Sequence, residues 1–280
     1  MIKNSINKAI IPVAGWGTRR LPITKIIEKS MLPVGNRPLV DYSVQELIKY
    51  GVKEIFMVIS NVEPCQVREF YSENQALNDY LISRNKLDRL AEAKTLPDDV
   101  KIHYIKQDSS DKYGTAVPVA LVAKQFSLNE QILLFMGDDF IWNPGGESAT
   151  QSLTASLENT SDSAILGIEI DQSEVEKYGV IEHKNHIMSN IIEKPKPSEA
   201  PSHLINVSKY ILSPALITEI VDYVDTHNFA PDEQEYMITD PINSYIQKGG
   251  IMRVAPNNGQ FLDGGSLDGW IHANNIVCGK

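Results

Sequence analysis

Three stretches of this chain are apolar almost without interruption: KAIIPVAG (8–15), EIFMVIS (54–60) and QILLFMGDD (131–139). A strand with one wet face alternates polar and apolar residues. A strand that is apolar throughout has to be covered on both faces, the condition of a parallel sheet between helices. The intervening segments change period. RPLVDYSVQELIKYG (37–51) has apolar residues at helical spacing and closes on Gly51, a helix stop. Residues 62–95 carry charges at i, i+4 and predict a helical region. KIHYIKQ (101–107) predicts a strand, and TAVPVALVAKQF (115–126) a helix with proline near its start. Strands alternating with helices in this way predict an α/β fold with a parallel sheet.

The second half is less regular. SAILGIEI (163–170) and LINVSKYILS (204–213) predict strands, and YGVIEHKNHIMSNIIEKPK (178–196) two strands around a turn at Lys184 and Asn185. Helices are expected over 214–225 and 234–248. A strand is expected over 251–256, and FLDGG then leads into a last helix, SLDGWIHANNIV (266–277). No repeat or Pro/Gly-rich linker divides the chain, so residues 1–280 read as one α/β domain with a β-rich elaboration.

Charge narrows the function classes. A net charge of −10 disfavours a nucleic-acid binder, which needs a broad basic face. Yet residues 1–40 hold Lys3, Lys8, Arg19, Arg20, Lys25, Lys29 and Arg37 against the single acid Glu28. A basic segment in an acidic chain suits a small polyanion, or is a solvated surface. The only cysteines, Cys65 and Cys278, form no C-x-x-C pair, which suits a reducing cytoplasm. No apolar run approaches the roughly 18 residues of a membrane span, so no membrane association is expected.

Ligands of open α/β sheets bind beyond the carboxyl ends of the strands. After the first strand comes GWGTRR, where Gly15 and Gly17 allow a tight turn that exposes amides to an oxyanion. It is neither a dinucleotide fingerprint, which needs glycine at Arg20, nor a P-loop, which needs Gly-Lys-Ser/Thr. It offers cations instead: Arg19, a bidentate fork, and Lys29, a mobile point charge. The combination favours a triphosphate or pyrophosphate.

The acids of FMGDDF (135–140) can be a cap, a turn or ligands for Mg²⁺, which one or two carboxylates and substrate phosphates commonly hold. Asp138 is the first choice, with Asp139 behind it; Asp263 in FLDGG is either a second metal acid or an Asp-Gly turn. Glu193 and Lys194 close an apolar strand before a proline, and sequence logic alone favours a solvated charge pair there. No zinc-type histidine spacing or nucleophile motif is present. Phosphoryl or nucleotidyl transfer, whose nucleophile belongs to the substrate, fits that pattern.

At this point the residues resemble a known family. PVAGWGTRRLPITKIIEKSMLPVGNRPLVDY is similar to the nucleotide-binding signature of sugar-1-phosphate nucleotidyltransferases, most of all the bacterial enzymes that use UTP and glucose 1-phosphate. The likeness continues through YGVIE (178–182), EKPKPSEAPSHL (193–204), SKYILSP (208–214) and FLDGGSLDGW (261–270). It implies a Rossmann-like three-layer fold with a mostly parallel mixed central sheet. Residues 1–140 would bind mainly the nucleotide and 141–280 mainly the sugar phosphate. It implies formation of a UDP-sugar and pyrophosphate, assisted by Mg²⁺ on Asp138 and Asp263. Arg19 and Lys29 become the catalytic cations. Ala14, Gly15, Gly17, Thr18 and Asp138 line the nucleotide, Gln107 reads the base, and Gly114 lets it lie close. Lys194 meets the sugar phosphate, while Glu193 and the Gly179 backbone meet the sugar. A homo-oligomer, dimer or tetramer, is implied too.

Four segments depart from the family pattern. KYGTAV (112–117) has Tyr113 for a glycine and Thr115 for a histidine, and Met136-Gly137-Asp138 replaces Leu-Pro-Asp. The stretch from Asp263 to Trp270 lacks the family's lysine, and Trp16 and Arg20 replace smaller or apolar residues. These leave room for dTTP, CTP, another sugar 1-phosphate, or a weakly active regulatory paralogue.

Overall fold

The first apolar run forms β1 (Lys8–Pro12), an interior strand of a nine-stranded sheet. The computed structural model describes residues 6–108, 112–229 and 234–280. The strands predicted at 54–60 and 101–107 are β4 (Glu54–Ser60) and β5 (Lys101–Gln107), and β6 (Ile132–Phe135) lies on the other side of β1. All four run parallel. Next to β6 comes β11 (Leu204–Leu212), antiparallel to it and to β8 (Ser163–Glu169) on its far side. β12 (Met252–Pro256) is parallel to β8, and the hairpin β9 (Gly179–Lys184) and β10 (Ile187–Glu193) completes the order 5-4-1-6-11-8-12-10-9. β9 also pairs with β11 at Val180 and Ile205, so the hairpin folds back toward the sheet centre. Asn185 and His186 both take left-handed angles, φ +51° and +59°, as a two-residue hairpin turn requires.

Alternation along the buried strands feeds two cores. Ile10, Phe56 and Leu134 pack with α5 (Val117–Gln125), α7 (Pro214–Thr226) and α8 (Thr239–Gln247). Ala9, Ile11, Met57 and Phe135 pack on the other face with α1 (Leu39–Tyr50), α2 (Gln66–Tyr71) and α6 (Ala149–Ala155). The result is the expected three-layer, mostly parallel mixed sheet. A small third cluster joins α1 to a ribbon of β7 (Asp139–Trp142) and β13 (Gln260–Asp263) and to α9 (Leu267–Val277). The short ladder of β2 (Pro33–Val34) and β3 (Arg37–Pro38) leads into α1.

Three expectations are corrected. The helical region 62–95 is three helices, α2, α3 (Gln75–Ser83) and α4 (Leu87–Ala93). Asn74 caps α3 by accepting from Leu77 N–H at 3.0 Å, and Asn85 at φ +54° breaks the chain before α4. The run 131–139 is not one strand: β6 stops at Phe135, and the chain joins the second ribbon at Asp139. Gly137 sits so close to the β1 end that a Cβ would lie 2.4 Å from Val13 Cγ1. The helix expected from 234 begins at Thr239. The backbone of Tyr236 is committed elsewhere, donating to Tyr113 O at 2.8 Å and accepting from Ala116 N–H at 2.9 Å.

Candidate active site

The chain leaves the sheet after Val13, whose N–H still donates to Val58 O at 2.8 Å. Gly17 then takes φ +63°, and a Cβ there would stand 2.9 Å from Lys29 Cβ. Backbone angle and close approach both demand glycine here. Gly15 is different: nothing lies within 4 Å of its missing Cβ, so the turn itself does not need it. Ala14 is half-buried behind the loop, while Trp16, Thr18 and Arg19 are exposed along it. Arg19 and Arg20 belong to one short 3-10 turn, Thr18–Arg20, but only Arg20 is buried.

Past a second turn at Ile23–Lys25, Lys29 opens a third, Lys29–Met31, and its Nζ donates to Asp138 Oδ2. Asp138 lies between β6 and β7. Burial opposes its ionisation, but the Lys29 ammonium, aided by Lys209, outweighs that and holds the carboxyl below the usual range. Asp263 closes β13 in register with Asp139. Its neighbour Gly264 donates to Asp138 O at 3.0 Å, and Gly265 N–H donates to Asp263 Oδ1 at 2.7 Å. Burial pushes the Asp263 carboxyl up, and the Asp138 charge adds to this. The Gly265 amide, Lys29 and Arg19 pull the other way. Two carboxylates and two cations from four separate segments therefore meet beside the loop.

Asp139 does not join them. It faces inward, and Lys209 Nζ donates to its Oδ1 at 2.5 Å and its backbone O at 3.3 Å. Burial pushes the Asp139 carboxyl up to about 7, with Lys209 opposing. Among the described residues no group of three His, Cys, Asp or Glu side chains is arranged for metal. The pair Asp138 and Asp263 is nevertheless a donor set suited to Mg²⁺, which keeps several waters and fills other positions with substrate phosphates.

Lys209 is the residue that sequence reasoning missed. Its side chain is 0% exposed and its Nζ lies 5.0 Å from the Phe135 ring centroid. A β-bulge places it: four steps along β11, Asn206 to Tyr210, oppose two along β8, Gly167 to Ile165. Ser208 within the bulge has φ +52°, and its N–H donates to Asn206 Oδ1 at 2.8 Å. The available signal was a lysine inside a mostly apolar strand, LINVSKYIL, since a buried lysine nearly always has a partner.

On the segment expected to meet the sugar, Gly179 and Glu193 are opposed in the β9–β10 ladder, and a Gly179 Cβ would lie 3.1 Å from Glu193 Oε1. Lys194 is exposed at φ +47°, pinned by its N–H to Tyr178 O at 3.0 Å. Non-glycine residues hold such angles at a cost of about 1–3 kcal/mol. The Tyr178 ring lies 5.9 Å from that of Phe261, two residues before Asp263 on β13, so this corner adjoins the Asp263 turn. Gln107, at the end of β5, is buried, and its Nε2 donates to Lys112 O at 3.5 Å. Gly114 at φ +135° lies against the Tyr236 backbone, 2.4 Å from where its Cβ would be. That contact, within the protein, already requires glycine.

Residues 8–279 match the nucleotidyl transferase family. The chain belongs to that family. Among curated relatives of this nucleotidyl transferase is a UTP–glucose-1-phosphate uridylyltransferase of Mycoplasma genitalium, 30% identical and covering 98% of this chain and 92% of its own. One of Staphylococcus epidermidis is 33% identical over 87% and 82%. Solved structures agree. A UDP-glucose pyrophosphorylase from Acinetobacter baumannii superposes with a TM-score of 0.85 at 25% identity, covering 97% of this nucleotidyl transferase and 93% of that chain. A UDP-glucose pyrophosphorylase complexed with UDP-glucose gives 0.78 at 25% identity, covering 98% and 99%.

Proposed function

We propose that this nucleotidyl transferase makes UDP-glucose and pyrophosphate from UTP and glucose 1-phosphate. One observation carries the reading: the Lys29–Asp138 ion pair meets Asp263 beside the Gly17 turn, at the carboxyl ends of parallel strands. The names of the full-length relatives support the choice of UTP and glucose 1-phosphate.

In this reading an oxygen of the sugar phosphate attacks the α-phosphorus of UTP. A new P–O bond forms as the bond from the α-phosphorus to its β-bridging oxygen breaks, and pyrophosphate leaves with the electron pair. The protein supplies no nucleophile; its work is positioning and charge neutralisation. Arg19, exposed on the loop, grips the outer phosphates. Lys29 trades its carboxylate partner for α-phosphate oxygens, where charge accumulates. Asp138 and Asp263 would hold Mg²⁺, which when bound neutralises phosphate charge. Lys194 meets the sugar phosphate, Glu193 and the Gly179 backbone meet sugar hydroxyls, and Gln107 meets the base.

Pyrophosphate release across a panel of nucleoside triphosphates and sugar 1-phosphates with Mg²⁺ tests this. The fastest release is expected with UTP and glucose 1-phosphate. Release with no pair overturns the enzymatic reading; faster release with another nucleotide overturns the uridylyl assignment alone.

A further inference from the structure

The two arginines of GWGTRR divide their labour. Arg19 faces solvent, whereas Arg20 is 6% exposed. Its Nη1 donates to the Ser266 carbonyl at 2.5 Å, and its guanidinium carbon lies 5.1 Å from the centroid of the Trp270 ring. The Trp270 platform is itself fixed, since its Nε1–H donates to Pro33 O at 2.7 Å. A buried guanidinium is costly unless it is hydrogen-bonded and stacked, and this one is both.

The acceptor's position gives the contact its meaning. Ser266 is the N-cap of α9, three residues after Asp263. Within residues 263–266, Gly264 is tied to the Asp138 backbone, Gly265 to the Asp263 carboxylate, and Ser266 to Arg20. The other hydrogen bonds described for the loop are local: Arg20 N–H to Gly17 O, Leu21 N–H to Thr18 O, and Thr24 Oγ1 to Gly17 O. We propose that Arg20 is a positioning residue that holds the Arg19 loop in register with the Asp263 turn, so that both face one triphosphate. This rests on the function proposed above. An apolar residue at position 20 would fill the space but could not hold a carbonyl.

The test compares wild type, Arg20→Leu, Arg20→Lys and Trp270→Leu by hydrogen exchange of amides 15–21 without ligand. The same proteins are assayed for the UTP dissociation constant with Mg²⁺ and for the KM of glucose 1-phosphate. In Arg20→Leu, loop exchange should quicken roughly tenfold. The UTP Kd should rise ~10-fold, with the glucose 1-phosphate KM unchanged. Arg20→Lys, whose ammonium can still donate to Ser266 over the Trp270 ring, should recover most of both. Unchanged exchange, a parallel rise in both constants, or no recovery by lysine overturns the proposal. Should Arg20→Leu not fold, Trp270→Leu must exchange faster than both wild type and Arg20→Lys; equal rates overturn it. Exchange needs no turnover, so an absence of pyrophosphate release would remove the proposed function without obscuring this result.

Discussion

Lys209→Met deletes a buried charge while keeping most of the side-chain volume. It leaves Asp139, 7% exposed, without the ammonium that sits 2.5 Å from its Oδ1. Removing one partner of a buried ion pair costs about 3–5 kcal/mol. At roughly 2–4 °C per kcal/mol for a chain of this size, Tm should fall by about 6–20 °C. Adding Asp139→Asn removes the orphaned carboxylate and should recover about 2 kcal/mol or more. The sign of the pH effect follows from burial, which holds Asp139 up at about 7 even with Lys209 present. A raised carboxyl contributes stability that is lost as pH rises through its folded value, and without Lys209 that value climbs further. The deficit of Lys209→Met should therefore widen from pH 6 to pH 8. Urea unfolding followed by circular dichroism measures it. A loss below about 1 kcal/mol at pH 8, or a double variant no more stable than the single one, would refute the reasoning.

Lys29→Ala and Asp138→Ala should each lower kcat by roughly 10²-fold or more in a pyrophosphate-release assay, the scale of losing a main electrostatic stabiliser. Gly114→Ala should cost more than about 1 kcal/mol in urea unfolding, and Gly15→Ala less than about 0.5, because only Gly114 combines a positive φ with a crowded Cβ position. Lys248, whose Nζ bonds Glu219 at 2.6 and 2.8 Å, is the main cause holding that carboxyl below its ordinary 4.5. A lowered carboxyl contributes stability above its ordinary value and loses it as pH falls through the lowered one. The Tm advantage of wild type over Glu219→Gln should therefore shrink between pH 6 and pH 3.

Local pattern was enough for β4, whose seven residues match the apolar run EIFMVIS, and for α1, which stops at Gly51 with φ +116°. It was not enough where a distant segment decides. The run 131–139 breaks because Gly137 packs on the end of β1, and helix α8 starts late because Tyr236 pairs with Tyr113 and Ala116. The site divides the same way. The glycine loop, Lys29, Asp138 and Asp263 were legible because strand ends are where such folds bind ligands. The different fates of Asp138 and Asp139 were not, because the second depends on a lysine 70 residues later. The basic segment also misled in part. Among its described residues, Lys8 and Arg37 are spent on Glu130 and Asp41, and Arg20 on the protein's own frame, leaving Arg19 and Lys25 exposed and Lys29 paired within the candidate site; Lys3 lies outside the described residues.

The bulge in β11 has a consequence for how the chain chooses its pairing. Tyr210 and Lys209 point to opposite faces of the sheet, the ring into one apolar core and the ammonium toward Asp139. A slip of one residue on either side of Asn206–Tyr210 would exchange them, driving the charge into hydrocarbon and setting a phenol against a carboxylate. Apolar neighbours such as Ile205, Val207 and Ile211 could tolerate either register. The ion pair cannot, so a single buried lysine proofreads the strand that joins the two halves of the sheet.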